Sequence, residues 1–261
     1  MKHVDQLLQK IGVRAVPPYP VDGRRRMVRN ETARPGGGLE AFDAPEALAI
    51  NEARMSHLES LGLAWAGKRV LDAGCGVGHL AARLERMGCR VVCVDGREAN
   101  ISSLRERYPA LEAHVANVER DPLERFGRFD AVFSYGLLYH LENPLQALRN
   151  LESVCDELML LETIICDHEL PLVRVEDEGL GMNQALGGLG CRPTPHYVAL
   201  ALNRVGFAHV YAPVSPPEHQ DFHFEWRNSL DSSRDGHPLR CVFVASRTKL
   251  RNGRLVSLLK D

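Results

Sequence analysis

The amino-acid sequence predicts an α/β fold in which a mostly parallel sheet of seven strands carries helices on both faces. Between residues 69 and 163, short apolar stretches alternate with helical patterns, as crossover connections between parallel strands require. Two further apolar stretches, 207–211 and 240–246, predict an antiparallel strand pair near the end of the chain. The length of 261 residues, with 44% hydrophobic and 25% charged side chains, is typical of a globular protein.

The predicted elements follow one another in a regular order. A first helix spans about 45–61, where apolar residues recur at helical spacing and Gly62 follows. The predicted strands are 69–73, 90–94, 111–115, 130–134, 158–163, 207–211 and 240–246. The other predicted helices are 80–87, 99–108, 144–155 and 195–205, and Thr194-Pro195 supplies a cap and a first residue for the last of them.

The chain divides into an N-terminal arm (1–45), a main domain (46–250) and a C-terminal tail (251–261). The domain contains two irregular insertions, near 167–194 and 213–238, which we expect to shape a binding pocket. The arginine run at 24–26 is interpreted as a solvated loop. The sequence shows neither a long apolar stretch nor a secretory leader, and its seven cysteines lack zinc or redox spacing, so we expect no membrane partner and a cytoplasmic location.

A glycine-rich turn carries the chemical information. In VLDAGCGVGHL (70–80) a strand runs into a turn that opens a helix, where glycines allow a ligand to approach the backbone closely. Asp95 ends the next strand, 23 residues after Asp72. A carboxylate at that position can accept both hydroxyls of a ribose, so the pattern predicts a nucleotide-like ligand.

Two such ligands differ in what they require of the turn. A dinucleotide needs a third glycine where His79 stands, whereas Gly78 comes one residue early. Asp72 is a poor neighbour for a pyrophosphate but suits a cationic amino-acid end. S-adenosylmethionine has an ammonium, a sulfonium and a ribose without a phosphate, and is the favoured cofactor. An NAD-dependent oxidoreductase and a turn without a ligand remain alternatives.

Over about residues 45–250 the sequence resembles the class I S-adenosylmethionine-dependent methyltransferases, which implies a Rossmann-like fold. The resemblance rests on VLDAGCGVGHL, VVCVDGREAN, HVANVE and FDAVFSYGLLYHLENP. It implies that the turn lines the methionine part, that Asp95 holds the ribose, that 96–97 and 117–118 lie beside the adenine, and that 134–136 border the sulfonium. Asn117 stands where the family usually has Asp. The cofactor-binding residues implied are Asp72, Gly74, Cys75, Gly76, Asp95, Gly96, Arg97, Asn117, Val118, Ser134 and Tyr135.

The candidate catalytic residues are Tyr139 and His140. They lie in Gly136–Leu141, which resembles the Gly-x-Leu-Tyr-His run of the tRNA wobble-uridine carboxymethyl transferases. This loop follows a central strand, where open α/β sheets bind ligands. An oxygen nucleophile must be aligned and must lose its proton, and an imidazole suits the second task. His140 is therefore a general base or positions the acceptor; alternatively, it caps the helix that begins near 144.

Other polar residues admit weaker interpretations. Glu162 and Thr163 either orient a substrate or merely end a strand, and Asn51 or Arg54 of the first helix reaches the cofactor. The glycine-rich stretch 179–190, which includes Asn183 and Gln184, is a mobile lid or an ordinary crossover. Alternation of His219, Asp221 and His223 would align them on one strand face, but no metal site is predicted. That segment is interpreted as a loop over the acceptor whose apolar wall is Phe222, Phe224 and Trp226.

The sequence thus predicts an enzyme that transfers a methyl group from S-adenosylmethionine to a small molecule, leaving S-adenosylhomocysteine. Oxygen is the favoured acceptor atom, because His140 would be superfluous for a thiolate or a free amine. One alternative is an RNA-modifying transferase; the net charge of −2 gives it no global support, but the arginines at 24–26 and 29 would supply a local basic face. Another is a non-catalytic, cofactor-binding partner subunit. The acceptor's identity and the oligomeric state stay open.

Overall fold

The computed structural model describes residues 38–259, which lie within one compact unit. The arginine run at 24–26, Arg29 and most of the predicted N-terminal arm lie outside these residues. No helix in the described part of the chain is long and apolar enough to cross a membrane.

The helices and strands alternate along most of the chain. The α-helices are α1 (Pro45–Ser60), α2 (His79–Arg86), α3 (Glu98–Arg107), α4 (Pro144–Ser153) and α5 (Pro195–Val205). The strands of the main sheet are β1 (Arg69–Ala73), β2 (Arg90–Asp95), β3 (Glu112–Val115), β4 (Phe129–Tyr135), β5 (Cys155–Ile164), β8 (His209–Pro213), β11 (Arg240–Ser246) and β12 (Leu255–Ser257). Two small hairpins are formed by β6 (Val173–Asp177) with β7 (Leu189–Pro193), and by β9 (Ser233–Arg234) with β10 (His237–Pro238).

The strand order in the main sheet is β12-β8-β11-β5-β4-β1-β2-β3. The five strands β1 to β5 are parallel, whereas β11 runs antiparallel to β5 and β8, and β12 runs antiparallel to β8. The carboxyl ends of the parallel strands therefore meet at one edge. Because Arg240 lies opposite Ile164, the first residue of β11 reaches that same edge.

The sheet is buried on both faces, which explains why its central strands read as continuous apolar stretches. Successive residues of β1 point to opposite faces: Leu71 belongs to the hydrophobic cluster that includes residues of α4 and α5, and Val70 to the cluster that includes residues of α1, α2 and α3. Both side chains are fully buried. The edge where the parallel strands end is thus held rigidly from both sides.

The predicted α/β class is confirmed, and the sheet has one strand more than predicted. The additional strand is β12, in the segment assigned to a C-terminal tail, where Ser257 pairs with Tyr211. This strand is three residues long, and its residues Val256 and Ser257 are exposed. The sequence therefore has too little alternation of apolar and polar residues to predict it. The hairpin of β6 and β7 was also not predicted. It encloses residues 178–188, which we call the glycine-rich loop.

Candidate functional site

The glycine-rich turn after β1 folds back onto the end of β2. The backbone N–H groups of Gly74 and Cys75 donate to the carbonyl oxygen of Val94, at 2.8 and 3.1 Å. Gly74 has φ +77° and Gly76 has φ +53°, values that a side chain makes costly. The turn therefore needs glycine at these two positions, and it brings the backbone of 74–76 beside the carboxyl end of β2.

A cleft of about 100 Å³ opens at this edge of the sheet. It brings together His140 and seven of the eleven predicted cofactor residues, namely Gly74, Gly76, Asp95, Gly96, Arg97, Asn117 and Val118. Asn183 and Gln184 of the glycine-rich loop also line it. The other four predicted residues, Asp72, Cys75, Ser134 and Tyr135, are buried and do not form its surface.

Asp95 is fixed at the floor of the cleft by three donors. Its carboxylate accepts hydrogen bonds from the backbone N–H of Gly76 (3.0 Å), from that of Arg97 (2.9 Å) and from the side chain of Asn100 (3.1 Å). Burial raises the pKa of Asp95, although these donors act in the opposite direction. The carboxylate is therefore oriented by the turn and by the start of α3 together.

Asp72 lies behind the turn, and its side chain is almost completely buried. Within the part of the chain that the structure describes, its Oδ2 has no hydrogen-bond partner. Burial, followed by the nearby charge of Asp95, raises the pKa of Asp72 to about 7. An unpartnered buried carboxyl group is costly, and a cationic ligand group beside the turn would compensate it.

Three apolar side chains lean onto the glycines of the cleft. A Cβ added to Gly74 would lie 2.8 Å from Leu137, and one added to Gly96 would lie 2.3 Å from Leu186. Phe42 covers Gly76 in the same way, at 2.8 Å. The cleft is consequently smaller than the roughly 300–1,000 Å³ of ordinary small-molecule sites. The atoms beside Gly76 and Gly96 are ends of side chains, so rotation about side-chain bonds is enough to widen the cleft there, whereas Cβ of Leu137 beside Gly74 moves only with its backbone.

Phe42 belongs to a short 3-10 helix, Leu39–Asp43, that is bonded to the main domain. The carboxylate of Asp43 accepts two hydrogen bonds from Arg107, both 2.8 Å, and lies 2.9 Å from Nε2 of His79. The hydrogen bond from Arg107 is the main reason why the pKa of Asp43 falls to about 2. The last residues of the predicted N-terminal arm are therefore part of the cleft.

His140 and Glu178 form a hydrogen-bonded pair beside the cleft. Nδ1 of His140 contacts Oε2 of Glu178, and Oε1 of Glu178 lies 2.8 Å from Arg192. Burial acts to raise the pKa of Glu178, but His140 and Arg192 outweigh it and hold that pKa below its usual value. Because a carboxylate engages Nδ1, the free ring nitrogen of His140 is Nε2.

The alternative in which His140 caps the following helix is wrong. The N-cap of α4 is Asn143, and His140 belongs to the preceding 3-10 turn, Leu138–His140. Tyr139, the other candidate catalytic residue, is buried and does not line the cleft. Its ring lies 4.0 Å from that of His140 and within 5.5 Å of the guanidinium carbons of Arg192 and Arg240.

A buried ionic network connects α1 with the sheet. Glu162 is fully buried and bonded to Arg54 (2.5 Å) and to Arg240 (3.0 Å), and Arg240 also reaches Asp221 (3.2 Å). Although burial opposes it, the two arginines hold the pKa of Glu162 below its usual value. Asn51 accepts a hydrogen bond from Arg54 (2.9 Å). Neither Asn51 nor Arg54 lines the cleft, and that one of them reaches the cofactor stays a prediction.

The segment from His219 to Trp226 is not the strand that would align its histidines. Residues Gln220–Phe222 form a 3-10 turn, and no group of three or more metal-ligating side chains converges within residues 38–259. Phe222 is buried in the core, whereas Phe224 stacks edge-on against the exposed Trp226. Phe224 lines a second cavity of about 520 Å³, which Arg234 and His237 also border.

Glu178 was missed by the sequence reasoning. It is one of three acidic residues in the stretch Glu176–Glu178, and nothing in the local pattern distinguishes it from its neighbours. What selects it is the pairing of β6 with β7, which brings the residue after β6 next to Arg192 of β7 and to His140. That pairing joins residues distant in sequence and has no local signal.

Comparison with known proteins agrees with this geometry. Residues 71–157 match the family model described as "Methyltransferase domain". A tRNA U34 carboxymethyltransferase of Azotobacter vinelandii is 32% identical over 153 residues, covering 55% of this chain and 46% of that protein. A ubiquinone biosynthesis O-methyltransferase of Xanthomonas campestris pv. campestris is 34% identical over 106 residues, covering 39% and 44%. The chain thus matches less than half the length of either relative.

The solved structures agree on the fold. The N-terminal domain of EvdMO1, crystallised in the presence of S-adenosylhomocysteine and D-fucose, superimposes with a TM-score of 0.56 and 23% sequence identity. The superposition covers 75% of this chain and 81% of that domain. Residues 71–157 thus match a methyltransferase domain, and the sheet topology is similar to that of solved S-adenosylmethionine-dependent methyltransferases.

Proposed function

We propose that this protein binds S-adenosylmethionine and transfers its methyl group to an oxygen atom of a small-molecule acceptor, in the cytoplasm. The observation that carries the proposal is that one cleft contains the glycine-rich turn, the Asp95 carboxylate and the His140 imidazole. The turn offers a backbone that a ligand can approach closely, the carboxylate can accept hydrogen bonds from ribose hydroxyls, and the imidazole is a candidate base.

The residues of the cleft fit the cofactor. Asp95 would hold the ribose hydroxyls, Asn117 and Val118 the adenine, and the backbone of 74–76 the methionine part, with Asp72 compensating the ammonium. When bound, the cofactor would supply an electrophilic methyl group on a sulfonium that is already a good leaving group. Leu186 and Phe42 must swing away from Gly96 and Gly76 to make room for it.

His140 would take the proton that the acceptor hydroxyl loses. Its Nδ1 is engaged by Glu178, so Nε2 is the nitrogen available to a hydroxyl in the cleft. The carboxylate of Glu178 also stabilises the imidazolium that forms, as in other carboxylate–histidine pairs. Tyr139 would contribute by supporting the His140 ring rather than by touching the acceptor.

Calorimetry tests the cofactor assignment. S-adenosylhomocysteine should bind to the wild-type protein and NADH should not; the reverse result overturns the proposal. Turnover of radiolabelled S-adenosylmethionine with a panel of phenols and hydroxy acids tests the chemistry. His140→Ala and His140→Gln should lose at least 90% of that turnover at saturating S-adenosylmethionine while still binding S-adenosylhomocysteine, since general-base catalysis contributes about 10²–10⁴-fold. Nearly full turnover in both variants excludes the base role.

A second candidate acceptor is RNA, which the similarity to tRNA U34 carboxymethyltransferases favours. Filter binding with bulk tRNA at increasing salt concentration separates the two candidates. An affinity that falls steeply with salt, together with label transferred to tRNA, supports RNA. Cofactor binding without turnover on either class of acceptor supports a non-catalytic partner subunit instead.

A further inference from the structure

We infer that Glu178 is a latch: the carboxylate that orients His140 also holds the glycine-rich loop shut over the cofactor cleft. The base would then be assembled only while the cofactor is enclosed. This inference rests on the proposed function, because it assigns a regulatory role within the same site.

The glycine-rich loop is tied to the cofactor side of the cleft at one point. The guanidinium of Arg97 donates to the carbonyl oxygens of Gln184 (3.1 Å) and Ala185 (3.0 Å), while the backbone N–H of Arg97 donates to Asp95. Leu186, the next residue of the loop, covers Gly96. The position of residues 184–186 is therefore linked to the place proposed for the ribose and the adenine.

The same loop is tied to the catalytic side through Glu178. The backbone N–H of Ala185 donates to Oε2 of Glu178 (3.3 Å), the same oxygen that contacts His140. The backbone N–H of Glu178 donates to the carbonyl oxygen of Gly188 (2.7 Å), which closes the base of the loop. Ala185 thus receives a hydrogen bond from Arg97 and gives one to Glu178, and the contacts run unbroken from Asp95 to His140.

The loop must also move. Met182, Asn183, Gln184 and Leu186 form one wall of a cleft that holds only about 100 Å³. Entry and release of an adenosyl ligand require this wall to open, and five glycines between 179 and 190 give the backbone that freedom. If residues 184–186 swing away from Arg97, the Ala185 contact with Glu178 breaks, and the carboxylate loses one of the donors that fix it beside His140.

Thermodynamic coupling makes this inference measurable without an acceptor. A contact made only in the closed state slows release of an enclosed ligand, so removing it speeds release. A charge-assisted hydrogen bond is worth about 1.5–3 kcal/mol, which corresponds to roughly 10- to 100-fold in a rate or an affinity. Glu178→Ala should therefore raise the dissociation rate of S-adenosylhomocysteine by about tenfold or more.

The experiment is a stopped-flow displacement of S-adenosylhomocysteine from the full chain. Glu178→Ala removes the acceptor of the Ala185 contact, and His140→Gln removes one of the groups that hold this acceptor in place, so each should speed release; Glu178→Gln keeps an acceptor oxygen and should restore part of the effect. Glu176→Gln is the matched control, because Glu176 lies two residues away on the same hairpin and pairs with Arg174 rather than with His140. It should leave the release rate unchanged.

A second measurement reports on His140 itself. In ¹⁵N-histidine NMR spectra, wild-type His140 should show the Nδ1–H tautomer when S-adenosylhomocysteine is bound, and Glu178→Ala should lose it. If S-adenosylhomocysteine does not bind at all, the proposed function fails. Suppose instead that it binds, that its release rate is the same in wild type, Glu178→Ala and His140→Gln, and that the His140 tautomer is the same in wild type and Glu178→Ala. The proposed function then stands and the latch is refuted. Should Glu178→Ala not fold, His140→Gln and Glu178→Gln decide the release-rate test.

Discussion

Replacing Asp72 by asparagine should stabilise the protein at alkaline pH far more than at acid pH. The Asp72 carboxyl is 2% exposed, and burial and the charge of Asp95 raise its pKa from 3.8 to about 7. The folded state thus binds this proton more tightly than the unfolded state does. The stability gained in this way is fully present below pH 3.8, declines as the pH rises and is lost above about pH 7.

The size of the effect follows from the shift. Each pKa unit corresponds to about 1.4 kcal/mol, so a rise of about three units costs at most about 4 kcal/mol at high pH. About two of these three pKa units lie between pH 5 and the folded-state pKa of about 7, so most of the stability is lost in that range. Asparagine stays neutral, so the free energy of unfolding of Asp72→Asn, relative to wild type, should increase by about 3 kcal/mol between pH 5 and pH 8. Any constant cost of the amide cancels in this comparison.

Urea unfolding of both proteins at pH 5, 6, 7 and 8 measures this change. The control is Asp156→Asn, which removes a carboxyl group at the surface that is 44% exposed and paired with Arg128. A difference between Asp72→Asn and wild type that stays constant from pH 5 to pH 8 would refute the reasoning, because it would mean that Asp72 holds no extra proton in the folded state.

The remaining predictions concern ligand binding and packing. S-adenosylhomocysteine should release up to one proton on binding at pH 6, read from calorimetry in two buffers, and Asp72→Asn should release none. Asp95→Ala should weaken that ligand by about tenfold or more, since a charged hydrogen-bond acceptor is lost; equal affinity would contradict the ribose role. Glu162→Gln should lower the free energy of unfolding by about 3–5 kcal/mol, because buried Arg54 loses its counter-charge while Arg240 retains Asp221. Gly74→Ala should cost more stability than Gly67→Ala, because both have φ near +80° but only the first meets a side chain, Leu137; equal losses would show that the contact with Leu137 relaxes freely.

Local sequence pattern predicted the elements that carry the cofactor side of the cleft. β1 (69–73) and β11 (240–246) match their predicted bounds to the residue, because each contains a short apolar stretch, 70–71 or 241–245, that is flanked by polar residues. The turn after β1 and the carboxylate at the end of β2 were identified for the same reason: their spacing along the chain fixes their position on adjacent strands of a parallel sheet. Asp95 and the turn meet through such neighbouring strands.

The acceptor side was less predictable because it depends on contacts between distant residues. The alternation of His219, Asp221 and His223 resembles that of a strand. In the structure, however, Asp221 accepts a hydrogen bond from Arg240 of β11, and Gln220–Phe222 form a 3-10 turn. Ser134 and Tyr135 are the last two residues of β4, and their hydroxyl groups are buried without a hydrogen-bond partner among residues 38–259. Sequence period indicates which face a side chain occupies; it does not indicate which partner that side chain finds.

The long connection before β11 shows how one distant side chain can decide a loop. The carboxylate of Asp167 accepts hydrogen bonds from the backbone N–H groups of Arg227 (2.7 Å) and Asn228 (3.1 Å) and pairs with Arg234, while its carbonyl oxygen accepts one from Leu230 (2.9 Å). Asn228 and Leu230 have φ +54° and +61°, and the left-handed backbone costs a leucine about 1–2 kcal/mol. The loop keeps that conformation because leaving it would strand a buried carboxylate and a buried guanidinium, at a cost of about 3–5 kcal/mol. Its shape is thus set by an acid about sixty residues earlier in the chain, and no pattern within the loop itself contains that information.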